Sequence, residues 1–271
     1  MAIIKGGLKI AGSIQGVTYY TRVGSDKVIA RSKGGPSPRR MKLGDEFKNT
    51  RKHQIEWKAC VKFSKGLHHA LGETYRLGDY TLCSTWNGLG KNIMGLDTTK
   101  PAGERNLMLS LHRLLLEDFS LNRNYPFNTV LRVSTEFEVH KETLQATVSL
   151  PRINTGMVLL NIQSLPYFRI IVSLGIVSDF HFNPENKREP YTPSLKLYNG
   201  CNNSVMTPWF STNDIVDPQT LNVHLLSRLV EQLTPDTTAL LSIGVEFGSV
   251  GFAGQINPVK RAGCGKILAS V

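Results

Sequence analysis

Residues 167–178, YFRIIVSLGIVS, and 238–247, TALLSIGVEF, decide the fold. Both are β-rich runs bounded by turn residues, and they belong to a series. The series takes in 135–140 (TEFEVH), 144–150 (LQATVSL), 157–162 (MVLLNI), 193–198, 221–229 and 262–271 (AGCGKILASV). Short runs at that spacing predict an antiparallel β-sandwich of roughly the immunoglobulin-like kind. The stretch LNVHLLSRLVEQL, 221–233, is open to a short helix or to a strand alternating at Leu221, Val223 and Leu225.

Upstream, the Pro-containing junction LNRNYPFNTVLRV, 121–133, marks a change of character. The residues before it read as helical. Over 45–71 the spacing predicts a long helix, with Asp45 and Glu46 favouring its N-terminus. Cys60, Phe63, Leu67 and Leu71 form an apolar stripe, and Arg51, Lys58, Lys62 and Lys65 form a basic stripe on another face. A second helix is predicted over 79–95, weakened by Gly88 and Gly90. A third is predicted over 104–118, with Leu107, Leu111, Leu114 and Leu115 inward. Short connections predict a compact bundle of about three helices.

The first forty residues are of another kind. Residues 8–15, LKIAGSIQ, fit an edge strand. GVTYYTR, 16–22, and KVIARS, 27–32, fit a β-hairpin about the turn VGSD. Gly24 is free to take positive φ there, and Asp26 can bond back to the backbone. Gly34-Gly35-Pro36 and Pro38 then predict a linker over 34–43. The predicted class is α+β: a basic hairpin arm and linker (1–43), a helical domain (44–121) and a β-sandwich domain (122–271).

The chain has 271 residues, 41% of them hydrophobic, which supports one or two domains with a sizeable core. Its net charge is +11, and the excess is local. Residues 1–70 hold 15 Lys or Arg against 4 Asp or Glu, whereas residues 71–271 hold 17 of each. A cationic leading segment on a neutral body seeks an acidic partner, either nucleic acid or an acidic protein surface. There is no 18-residue apolar run, so no membrane-spanning helix is expected. The opening MAIIKGGLKIAGSIQG is broken by Lys and Gly, so no signal peptide is expected. Cys60, Cys83, Cys201 and Cys264 are scattered and lack C-x-x-C spacing, which fits reduced thiols. A cytoplasmic product, or a component of an assembled particle, is the corresponding expectation.

Motifs for chemistry are weak. His68 and His69 are adjacent on the predicted helix and point about 100° apart, unlike an i, i+4 metal pair. The loop GSVGFAG is followed by Gln255-Ile256-Asn257-Pro258 and not by a helix, so it is no phosphate loop. There is no G-x-S-x-G elbow. Cys264, near Arg261 and Lys266, fits an activated thiol less well than a small side chain in the last strand. Glu136 and Glu138 alternate outward on one strand, as on a solvated face. No catalytic set, cofactor or metal is expected.

The stretches KGGLKIAGSIQGVTYYTRVGSDKVIARSKGG, FKNTRKHQIEWKAC, NRNYPFNTVLRVS and VEFGSVGF…AGCGKIL cover most of the chain. In them it resembles a family of uncharacterised Bacteroidota proteins with a Gly-rich N-terminal hairpin, a helical middle and a C-terminal β-sandwich. The resemblance implies that architecture and, by analogy, a structural or mobile-element product.

Two functional expectations follow. An isolated hairpin is marginal in water and must dock on something, and its strand edges can pair with another sheet. Docking on the next copy makes a non-enzymatic, self-assembling structural protein of tube, filament or phage-particle type. Tyr19, Tyr20, Asp26, Lys27 and Arg31 are its candidate assembly residues. Folding of the arm back onto its own subunit is the alternative for the arm. The second expectation is a nucleic-acid-associated module. It would use Arg39, Arg40, Arg51, Lys58 and Lys62 as an anion-facing surface, with Trp57 beside Lys58.

Overall fold

The computed structural model describes residues 2–4, 11–22, 24–32, 34–79 and 81–271. The chain is α+β, and it divides into two compact units, Met1–Arg51 and Lys52–Val271.

The first unit carries a four-stranded antiparallel sheet. Its strands are β1 (Ala2–Ile4), β2 (Gly12–Ile14), β3 (Val17–Thr21) and β4 (Val28–Ser32), in the order β1-β4-β3-β2. β3 and β4 are the expected hairpin. The expected edge strand 8–15 is shorter: β2 covers Gly12–Ile14, Gln15 is in the turn to β3, and residues 8–10 lie outside the described residues. In the β3–β4 turn Gly24 takes φ +81°, a conformation glycine adopts without strain. The side-chain bond there is made by Ser25, whose Oγ accepts from the Lys27 N–H at 3.3 Å, and not by Asp26.

The expected linker is also corrected. Residues Pro38–Leu43 form a short helix, α1. Ser37 caps it by accepting from the Arg40 N–H, and Pro38 sits at its first position, where the missing N–H has no partner to lose. A proline that reads as a breaker is here a starter.

The second unit has three layers. Helices α2 (Lys48–Ala70, which begins in the first unit) and α3 (Leu82–Gly95) form one outer layer. Strands β5 (Glu136–His140), β6 (Gln145–Leu150), β7 (Ile153–Asn154), β8 (Tyr167–Ser178), β9 (Phe180–Phe182), β10 (Tyr191–Pro193), β11 (Asn202–Met206), β12 (Phe210–Ser211), β13 (Ile215–Val216), β14 (Gln219–His224), β15 (Thr237–Val250) and β16 (Ile256–Ser270) follow. The central sheet runs β11-β8-β15-β16, with β12 also on β8. A second sheet runs β14-β6-β5, and β7–β13 and β9–β10 are two-stranded ribbons.

Both faces of the central sheet are buried, which is why β8 and β15 read as continuous apolar runs. Phe168, Ile170, Val172, Leu174 and Ile176 of β8 face the second sheet, where Ala146, Val148, Leu221 and Val223 close the sandwich core. Val177, Leu240 and Ile267 share the other core with Phe63, Leu67, Trp86 and Ile93 of the helices. The expected division between 121 and 122 therefore falls inside one unit, because the helices are built onto the sheet.

Residues 104–118 do not form the expected third helix. Leu107 exchanges two backbone hydrogen bonds with Phe180, both 2.9 Å, so the chain is extended there and Leu107 and Leu109 are buried. Only Arg113–Leu116 makes a 3-10 turn, leaving Leu111 and Leu114 at 67% and 71% exposure. Backbone pairing with β9 overrides the helical leucine spacing.

The close approach of helix to sheet rests on glycines. A Cβ at Gly175 would lie 2.0 Å from the Ala70 carbonyl oxygen, and one at Gly244 would lie 2.2 Å from Leu77 Cδ1. Gly175→Ala is expected to lower stability by about 1–3 kcal/mol or more, since the obstacle is backbone. Gly88→Ala, in open space on α3, is expected to be neutral or stabilising by up to about 1 kcal/mol. Urea unfolding midpoints check both, and a Gly175→Ala protein as stable as the parent would overturn this account of the packing.

Candidate functional site

The arm residues are split by the pleat. Directly opposed residues share a face of a sheet. Tyr19 opposes Ala30, and Tyr20 opposes Ile29, so the two tyrosines lie on opposite faces. Thr18 opposes Arg31, which puts Arg31 on the face of Tyr20; the three line a shallow cleft of about 350 Å³. Asp26 and Lys27 are exposed in the turn. Val28 and Ile29 of β4 are buried, and the side chains of β2 and β3 are exposed or half-buried.

The expected anion-facing set is also divided. Arg51 donates to the carbonyls of Met41 and Gly44 at 2.9 and 2.8 Å, and so fastens the turn after α1. It is a structural residue and not part of an open basic face. Arg40 pairs with Glu46 at 2.9 Å, both exposed. Arg39 is exposed.

Lys58 and Lys62 do lie in a cleft, in the second unit. Trp57, Val61 and Pro190 give it an apolar floor, Lys58 and Arg188 flank it, and its volume is about 510 Å³. Lys62 donates to the Tyr191 carbonyl at 2.8 Å and pairs with Glu189, which ties α2 to the start of β10 and the loop before it. That pairing holds the Glu189 carboxyl below its ordinary value. A second cleft of about 410 Å³ shares Lys62 and Glu189 with the first and adds Lys65, His69 and Lys196. Arg188 and Lys196 were not legible as site residues, because a loop 130 residues away gives no local sign that it meets α2.

Other charged clusters are already satisfied. Glu56 is fully buried on α2 and binds Arg105 at 2.8 Å through both oxygens, the Gly103 N–H at 2.8 Å, and Lys91. An acid in line with Cys60, Phe63 and Leu67 was the available signal for such a pair. Burial is the largest influence on its carboxyl and raises it. The hydrogen bonds from Arg105, Lys91 and Gly103 together outweigh it and hold the group at about 2. Glu246 is likewise buried between Arg76 and Arg169, at 2.9 and 2.8 Å, and Arg169 stacks on Trp209.

Histidine, aspartate and serine meet once, but in the wrong order for acyl chemistry. His181 Nε2 and Ser194 Oγ both contact Asp236 Oδ2, at 3.0 and 3.2 Å. A nucleophile needs the imidazole between hydroxyl and carboxylate, and here the carboxylate is in the middle. Asp179 is buried and bound by Ser110; burial raises its pKa. Cys264 is buried and its thiol pushed up to about 12, so its basic neighbours do not activate it. Cys83 is exposed. His68 stacks on Tyr75, and among the described residues no group of three His, Cys, Asp or Glu is placed to hold a metal ion. Among them, too, no helix is long and apolar enough to cross a membrane.

No family model, no curated protein and no solved structure matches this chain.

The Glu56 cluster sets an acid limit. Its folded pKa lies below the ordinary 4.5, so its stabilisation is complete above that value and is lost as pH falls from about 4.5 toward about 2. Glu56→Gln is expected to cost about 3–5 kcal/mol at neutral pH and to remove this part of the acid dependence. Unfolding midpoints between pH 2 and pH 7 check it; parallel profiles for the two proteins would sink the assignment.

Proposed function

We infer that the chain is a non-enzymatic, self-assembling structural protein of tube, filament or phage-particle type, whose N-terminal unit docks on a neighbouring copy. The observation that carries this is the first unit itself: a small four-stranded sheet, compact on its own, whose strands β2 and β3 leave their side chains exposed or half-buried. So small a sheet gains stability by packing or pairing with a partner.

Charge and an open edge supply a docking partner. Residues 1–51 contain eleven Lys or Arg and three Asp or Glu. In the body, among the described residues, β5 pairs with β6 alone, and its outward residues Glu136 and Glu138 are exposed. Phe137 and Val139 alternate with them, opposite Val148 and Ala146; Val139 packs on the core, and Phe137 is exposed. A strand added to this edge would find main-chain partners, and its basic surroundings would find two carboxylates. An arm-to-body contact joins unlike surfaces, so it propagates unless the rotation closes a ring.

Light scattering and negative-stain imaging of the full chain test it. Regular large particles are expected, with deletion of residues 1–43 giving a folded monomer and Glu136→Lys with Glu138→Lys weakening assembly. A truncated protein that assembles as before would overturn the reading.

A further inference from the structure

We propose that the groove beside α2 binds single-stranded nucleic acid, with Trp57 as its stacking platform. This does not rest on the assembly reading.

The groove is made of two adjoining clefts along α2, with the Lys62–Glu189 pair common to both linings. Its floor at one end is apolar and open: Trp57 and Val61 are 46% and 45% exposed, and Pro190 lies beside them. An indole left half in water on a helix that buries Phe63 and Leu67 presents a planar apolar face to a ligand.

The walls are cationic along their length. Lys58 and Arg188 stand at the Trp57 end, and Lys65 and Lys196 at the other. Lys58 and Lys65 are two turns apart on α2, about 10 Å at 1.5 Å rise per residue. None of these four is ion-paired among the described residues, and the one carboxylate, Glu189, is held by Lys62. The second unit is otherwise close to neutral, so this is a concentration of charge and not a general property of its surface.

Cations spread over two clefts suit a chain of anionic groups better than a single phosphate, which needs donors converging on one point. The indole and its apolar neighbours add a demand for flat rings between the charges. Single-stranded nucleic acid supplies both, since its bases are free to stack while its phosphates follow a basic groove. A duplex hides its base faces, and an acidic peptide carries charge without obligatory rings.

Fluorescence anisotropy with a labelled oligo-dT and the full-length protein tests this. Binding is expected at low salt, falling linearly in log–log terms as salt rises. Neutralising Lys58, Lys65 and Lys196 to Gln should reduce the magnitude of that slope by about 2, at roughly 0.7 per lost phosphate contact. Trp57→Ala should weaken binding about tenfold or more with the slope unchanged, and Trp57→Phe should retain most of it. Thermal melts confirm that each variant is folded, as these side chains lie at the surface. The proposal would be overturned by no binding at low salt, by a Trp57→Ala protein that binds as the parent does, or by equal competition from polyphosphate, duplex DNA or poly-glutamate. Loss of binding on neutralising Arg39 and Arg40, with the groove variants unaffected, would also do so, by placing the site on the arm.

Discussion

The body of this protein depends on how closely the end of α2 and the following 3-10 turn, Gly72–Leu77, lie on the central sheet. That approach needs strands without bulk at the point of contact, and the sheet supplies Gly175, Gly244 and Gly263 there. Ser173 and Ser242 are buried beside them, and Ser242 bonds Thr74 of the turn at 2.7 Å. The apolar positions of the same strands then pack outward into two cores and not one. At the other end of α2 the Glu56 cluster joins three separate segments, so the helix is fixed at both ends by different physics: steric fit at one and buried charge at the other.

Local signals were readable where a segment's own periodicity decides its state. The long helix, the β3–β4 hairpin and the apolar runs of β8 and β15 are of this kind. The stretch 221–233, open to strand or helix, is both: Leu221 and Val223 alternate in β14, and Ser227–Gln232 makes a 3-10 turn. Signals failed where tertiary contact decides. The leucines of 104–118 have helical spacing, yet pairing with Phe180 holds the chain extended. Pro38 carries both a breaking and a starting meaning, and Ser37 determines which applies. Of the candidate site, Trp57, Lys58 and Lys62 were visible as a basic and aromatic helix face. The loop carrying Arg188 and Pro190, which turns that face into a groove, was not. Arg51 matched the stripe by spacing but is consumed by two carbonyls.

Within the second unit the two charged features lie in different layers. The glutamates of β5 belong to the outer sheet, and the lysines of α2 belong to the helical layer, with the central sheet between them. A protein neighbour seated on the β5 edge and a strand lying along α2 would not compete for the same surface. Their salt responses would differ as well, since release of counterions from a polyanion is steeper than screening of a few protein charges.

The layered packing also has a consequence in time. The face of α2 that carries Phe63 and Leu67 is covered by Leu240 and Ile267, which a ribosome adds long after the helix. Until β15 and β16 are made, α2 has no sheet to lie on, and β8 lacks the neighbour that covers one of its edges. The small N-terminal sheet needs none of these strands for its own pairing. During synthesis the chain therefore offers its basic unit before its finished body.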